Sequence, residues 1–227
     1  MLIDFLGDDA ENIVLKVISD KCTVLLTTNL DESIESYREN MAPESKYTTT
    51  FTIKAYAVDY NGETVKDLGF IEGVYFEAES LFSEEISFEM LCDAISSDAL
   101  SMAAAVTDKR GRILPSVCHR EHNMAYIKKV YVEEQCRGFG VGRYLLDNML
   151  PLLQHALCLR THAVVLLPYP QEKTQGGSLL DAANADADLP RLIKFYEKAG
   201  YTKLDGCDFM HKNCMDILDE LFSQMDE

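Results

Sequence analysis

The stretch VYVEEQCRGFGVGRYLL, Val130 to Leu146, runs from an apolar strand through a glycine-rich basic turn into a helix with a leucine stripe. Gly138, Gly140 and Gly142 let the backbone turn tightly and come close to a ligand. The helix that follows offers unpaired N–H groups and the positive end of its dipole, so the turn reads as a pyrophosphate cradle, with an ordinary strand-to-helix turn as the plain alternative. A nucleotide P-loop would need Lys followed by Ser or Thr after its last glycine, whereas Gly142 precedes Arg143 and Tyr144. A dinucleotide turn would need a further glycine where Arg143 stands.

A second stretch, LIKFYEKAGY from Leu192 to Tyr201, reads as a helix that ends in a glycine and is followed by an aromatic residue opening a strand. Asp188 is placed to cap this helix and Pro190 fits its first turn. Leu192, Phe195, Tyr196 and Ala199 share a face, and Gly200 stands where a helix ends in the left-handed conformation. On periodicity alone Tyr196 is a core tyrosine.

Gln135-x-x-Gly138-x-Gly140 and the Phe195-Tyr196 helix, in that order, resemble the two signatures of the acetyl-CoA-dependent N-acetyltransferase superfamily (GNAT). The resemblance covers roughly residues 120 to 212. It implies an α/β fold in which a mixed, mostly antiparallel central sheet is flanked by helices, in one domain over residues 1–227. It also implies that acetyl-CoA is the co-substrate, with coenzyme A held by Gln135, Cys136, Arg137, Gly138, Phe139, Gly140, Val141, Gly142 and Arg143. The pantetheine arm would run along Val130, Tyr131 and Val132, pairing its amides with the strand backbone. The implied activity is transfer of acetyl to a primary amine of a small-molecule or protein acceptor, with Tyr196 as the acid for the departing thiolate. In the family the strands before the turn join by a short connection. Here a helical segment over residues 83–120 intervenes, a departure expected to shape an acceptor pocket or a dimer contact.

The base for such a reaction is less defined. Members of the family place a carboxylate on the strand before the turn, but Tyr126 to Val130 reads YIKKV. Strand parity offers Glu72, set among Leu68, Phe70, Val74 and Phe76, where an apolar stripe would raise a carboxylate's pKa. A solvent-facing Glu72, one of His119, His122 and His211, or a water chain are the alternatives. The missing carboxylate also keeps open a second function, a catalytically weak module that binds coenzyme A as a sensor or assembly partner.

Composition frames these expectations. The 227 residues, 47% of them hydrophobic, suffice for one large domain. A formal net charge of −17 argues against nucleic acid as a partner. Lys128, Lys129, Arg137 and Arg143 bracket the glycine turn and invert that balance locally. The overall acidity favours a cationic acceptor such as a polyamine, an aminoglycoside or a lysine side chain. Seven scattered cysteines show neither a Cys-x-x-Cys pair nor metal-ligand spacing, so reduced thiols and no metal are expected. No apolar run reaches the ~18 residues of a membrane span, and the stretch Met1 to Asp9 lacks a basic leader, which leads to the expectation of a cytoplasmic protein without a membrane partner.

Along the rest of the chain, 12–19 and 21–28 read as one bulged strand or a hairpin, and Asp31 to Asn40 as a charged helix. Tyr47 to Tyr60 and Leu68 to Glu79 form a long hairpin about Asn61-Gly62. Helical patterns begin at Ser83 and again over Ala99 to Val106, followed by strand Ala125 to Val132. The helix after the glycine turn continues through Pro151, and His162 to Leu167 is a buried strand. Tyr169 to Ala187 is a long polar loop of the lid or binding-loop kind. Tyr201 to Leu204 and Asp208 to Lys212 close the sheet, and Asn213 caps a C-terminal helix over 213–227.

Overall fold

The structure, a computed structural model, describes residues 12–19, 22–27, 37–38, 47–118, 123–173, 179–181 and 185–215, and the statements below concern these. Strands β1 (Asn12–Ser19) and β2 (Cys22–Thr27) form a hairpin, with Val14 opposite Thr27, and β3 (Tyr37–Arg38) pairs with β2 at the edge of the sheet. Two residues of the helix expected over 31–40 are therefore strand, and the others lie outside the described residues. That run has only Ile34 and Tyr37 as larger apolar residues, too few for a buried helical stripe, whereas pairing with β2 satisfies backbone groups directly.

Strand β4 (Thr48–Val58) buries Thr49, Phe51, Ile53, Ala55 and Ala57, the two-residue period of a strand with one face in a core. It joins β5 (Thr64–Phe76) through the turn expected at Asn61-Gly62. Asp59 Oδ1 accepts from the N–H groups of Asn61 and Glu63, both at 2.9 Å, and Gly62 takes a φ of 80°. The hairpin carries a register shift: Ala55 is opposite Gly69 and Tyr56 opposite Asp67, which leaves Leu68 as an extra residue. The bulge turns Leu68 to the face of Ile71 and Tyr75, so it does not share the stripe of Phe70, Val74 and Phe76 assigned from strict alternation.

Beyond β5 the chain forms α1 (Ala78–Ser83), α2 (Phe88–Ile95) and α3 (Ser97–Val106). Ser87 Oγ accepts from Met90 N at 3.3 Å and Ser96 Oγ from Ala99 N at 3.1 Å, which caps α2 and α3. The expected strand over 68–79 thus stops at Phe76, and helix begins before Ser83. These helices lay Leu81, Phe88, Cys92, Met102 and Val106 on Val74, Phe76, Met124, Tyr126 and Val165 of the sheet. The segment expected as an insertion is accordingly one of the two layers that cover the sheet.

The other layer follows β6 (Met124–Val132): α4 (Val141–Leu157) and, after β7 (Ala163–Leu166), α5 (Ala185–Lys198). Leu145, Leu146, Met149, Leu153 and Tyr196 meet Phe51, Ile53, Ile71, Ala125 and Ile127 from this side. Helix α4 runs through Pro151 as expected. Part of the loop expected over 169–187 is ordered as the small hairpin of β8 (Gln171–Lys173) and β9 (Leu179–Asp181). Helix α5 starts at Ala185, so Asp188 lies inside its first turn rather than at its cap, where its charge favours the positive end of the dipole. Pro190 then sits within the helix and forgoes one bond. Gly200 ends the helix at a φ of 88°, with Tyr201 N donating to Tyr196 O at 3.0 Å.

Strands β10 (Thr202–Lys203) and β11 (Met210–Asn213) complete a sheet of order β10-β11-β7-β6-β5-β4-β1-β2-β3. The result is an α/β fold with an open, mixed, mostly antiparallel sheet flanked by helices, and its one parallel pair is β6 with β7. Asn213 Oδ1 accepts from Met215 N at 3.0 Å as a cap would, and residues 216–227 of the expected C-terminal helix lie outside the described residues. No described helix is long and apolar enough to cross a membrane.

Gly73 sets how closely the strands pack. A Cβ there would lie 2.4 Å from the Phe51 ring and 2.6 Å from Tyr126 O. Gly73→Ala is expected to destabilise the fold by roughly 1 to 3 kcal/mol, read as a lower urea midpoint. An unchanged midpoint would show that the sheet gives way at this point.

Candidate functional site

β6 and β7 run parallel for four register pairs, from Met124 with Ala163 to Ile127 with Leu166, and then part. At that point β6 is bulged against β5: Glu72 is opposite Lys129 and Gly73 opposite Ile127, so Lys128 has no partner in the register. Beyond the bulge, Lys129 to Val132 keep β5 on one side and have no strand on the other among the described residues. A cleft of about 530 Å³ opens there. Its walls are Val130 to Val132, the glycine turn, the start of α4, residues Tyr169 to Glu172, and Asp188, Arg191, Leu192, Phe195 and Tyr196 of α5.

The turn is shaped by positive φ angles of 83° at Gly138 and 94° at Gly140, and a Cβ at either would meet nothing within 4 Å. The backbone therefore faces open space in a conformation that suits glycine. Gly140 is the N-cap of α4 and its carbonyl accepts from Tyr144 N at 2.9 Å, which leaves the N–H groups of the first turn without an intrahelical partner. Gly142 has another role. A Cβ there would lie 3.2 Å from the Phe195 ring and 3.4 Å from a Val132 methyl, so its smallness brings α5 and β6 against the helix start.

Of the residues expected to bind coenzyme A, Val130, Tyr131, Val132, Cys136, Arg137, Gly138, Gly140, Val141, Gly142 and Arg143 line this cleft. Gln135 and Phe139 do not; both are exposed, Phe139 by half of its surface. Cys136 is buried beneath the turn, where burial raises its thiol pKa in spite of nearby Lys66. Arg137 Nε donates to Val132 O at 3.1 Å and the guanidinium lies 5.7 Å from the centre of the Tyr131 ring, so the side chain is oriented but keeps donors to spare. Arg143 is more committed. Its Nε meets Asp147 Oδ2 at 2.6 Å and a terminal nitrogen donates to the Lys198 carbonyl, which ties α4 to the end of α5.

Tyr196 sits where the cleft meets a narrow second opening lined by Ile127 to Val130, Leu166, Leu167, Tyr169 and Gln171. It is 5% exposed, its ring packs edge-on against Phe195 and Tyr201, and its hydroxyl has no hydrogen-bond partner among the described residues. Burial raises its pKa, so the phenol, already protonated at neutral pH, holds its proton to higher pH than a free tyrosine.

Glu72 is on β5 and does not line the cleft. Its carboxylate, about a third exposed, lies 3.4 Å from Lys129 Nζ, so it carries a cationic partner rather than standing alone in an apolar stripe. His211 is on β11 with Nε2 at 3.0 Å from Thr202 Oγ1, and burial lowers its pKa; His119 and His122 lie outside the described residues. Sequence reasoning did not mark Tyr169, Gln171, Glu172 or Arg191 as site residues. Arg191 lies on α5 and the other three precede or begin β8, and only the tertiary fold brings them to the turn. No family model and no curated protein matches the chain.

The buried phenol has a measurable signature. Because the folded pKa of Tyr196 is above its unfolded value, the stability it contributes is complete below about pH 10 and is lost as the pH rises from there toward the folded value. The tyrosinate absorbance of Tyr196→Phe, subtracted from that of the parent, is expected to show no ionisation near pH 10 while the protein is folded. A step at pH 10 would mean that the phenol is open to water.

Proposed function

We propose that this protein is an acyltransferase of the GNAT kind, which moves acetyl from acetyl-CoA to a primary amine. The observation that carries the proposal is one cleft that joins a glycine turn with open Cβ positions at a helix N-terminus to the buried, protonated phenol of Tyr196. The parting of β6 from β7 supports it, because it frees a strand edge at Val130–Val132 beside the turn.

The residues fit coenzyme A in three respects. First-turn N–H groups of α4, the donors left on Arg137 and the Gly138–Gly140 backbone suit a pyrophosphate. Arg191 adds a cation on the facing wall. The β6 edge suits a chain of amides, which can bond to a strand as an added strand would. When bound, acetyl-CoA supplies an acyl carbon activated by its thioester. The amine nitrogen forms a bond to that carbon as the carbon–sulfur bond breaks, and the proton that the nitrogen loses is balanced by one that the sulfur gains. Tyr196 is the donor for that sulfur, its phenol protonated at neutral pH as a tyrosine ordinarily is. Glu72, tied to Lys129 and outside the cleft, is a weaker candidate for the base than solvent that reaches the second opening.

Cys92, Cys118, Cys136, Cys158, Cys207 and Cys214 are free thiols, which suits the reducing cytoplasm. The ion pair at Glu72 also favours, as a second reading, a coenzyme-A-binding module with little turnover.

Acetyl-CoA is expected to raise the melting temperature of the parent protein, and Gly140→Glu to abolish the shift by placing a charged side chain at a φ of 94° in the cradle. No shift in the parent would sink the proposal. With an amine present, release of free thiol is expected, and Tyr196→Phe should lower kcat by roughly 10²–10⁴ while leaving the melting shift intact. A melting shift without thiol release would favour the binding module.

A further inference from the structure

The second opening, where β6 parts from β7, holds about 20 Å³ and shares Tyr196 with the main cleft. If the acetyl group reaches Tyr196 from the glycine turn, as the acyltransferase reading requires, the amine must arrive from a side that the coenzyme leaves open, and this opening, which adds Ile127 to Lys129 and lacks the glycine turn, offers one. Its polar lining is Lys128, Lys129, Tyr169 and Gln171, and no carboxylate lines it among the described residues. Lys129 is paired with Glu72 at 3.4 Å. Lys128 is the extra residue of the β6 bulge, is exposed, and has no ion pair with a described residue. A bulge re-aims a side chain that strict alternation would place elsewhere. Two carboxylates, Glu172 and Asp188, line the main cleft together with Arg137, Arg143 and Arg191, and neither lines the second opening.

We infer that Lys128 selects the acceptor, and that the acceptor is a slender primary amine that also carries a carboxylate, of the amino acid kind. The net charge of −17 on the chain suggests a cationic acceptor, but a field at short range is set by the nearest uncompensated charge, and here that charge is positive. A diamine would bring a second cation toward Lys128 and be repelled. A carboxylated amine would gain an exposed ion pair, which is modest in affinity but sufficient to rank acceptors of equal length.

The inference rests on the acyltransferase reading, and a series of amines with matched chains tests both. Thiol release is measured with acetyl-CoA and γ-aminobutyrate, n-butylamine or putrescine, whose far ends are negative, neutral and positive. The parent protein is expected to rank them in that order by kcat/KM. Lys128→Ala should cost γ-aminobutyrate about fivefold and leave n-butylamine unchanged. Lys128→Glu should reverse the order, with the KM for acetyl-CoA unaltered in both variants. Thiol release with putrescine preferred by the parent, or an order that Lys128→Glu does not change, overturns the inference alone. No thiol release with any amine overturns the acyltransferase reading and the inference with it.

Discussion

The separation of β6 from β7 beyond Ile127 and Leu166 is the constraint on which the site depends. Parallel strands usually pair along their length because their backbone groups have no other partner when buried on both sides. Here four pairs form and pairing then ceases, at the level where Lys128 bulges out of the ladder with β5. Backbone groups that β7 would have used are left at the wall of a cleft. The start of α4 fills part of the space, and α5 closes against it through the contact of Phe195 with Gly142. Arg143 fastens the two helices through Asp147 and the Lys198 carbonyl. Turn, free edge and phenol thus meet in one place because a single pair of strands diverges.

The parts of this arrangement that were legible in the sequence are those decided locally. A positive φ at Gly138, Gly140 and Gly200 is tied to glycine, and the apolar spacing of α4 and of Phe195, Tyr196 and Ala199 shows which faces are buried. The Asn61-Gly62 turn is likewise a property of a few adjacent residues. What escaped depends on partners distant in the chain. The slips at Leu68 and Lys128 arise between strands, so alternation within β5 placed Leu68 on the wrong face and gave Glu72 an apolar setting in place of its pairing with Lys129. Strand β3 exists through β2, and the hairpin of β8 and β9 has too few residues to show a period. Gln135 and Phe139 are exposed and do not line the cleft although they lie within the motif, since a motif fixes the path of the backbone and not the surroundings of each side chain.

The two helical layers divide the work of the molecule. Helices α1 to α3 cover one face of the sheet, α2 and α3 with serine-capped starts, over a core that includes Phe76 packed edge-on against Phe88. On the opposite face α4 and α5 both bury the sheet and build the cleft, so their residues serve packing and ligand space together. Tyr196 carries both duties. The burial that makes it a core residue by periodicity also raises the pKa of its phenol and so widens the pH range over which it holds its proton.

Mechanically, β6 is a beam clamped at one end. Met124 to Ile127 are buried, held by β5 and β7 at the sides, with Met124 and Tyr126 in one hydrophobic layer and Ala125 and Ile127 in the other. Past the bulge at Lys128, residues Lys129 to Val132 project beyond the clamp with a strand on one side only among the described residues. A load on the projecting end is borne at its root, so a molecule that bonds to the free edge would press on both layers, the packing beneath α1 to α3 included, although that layer has no other share in the cleft.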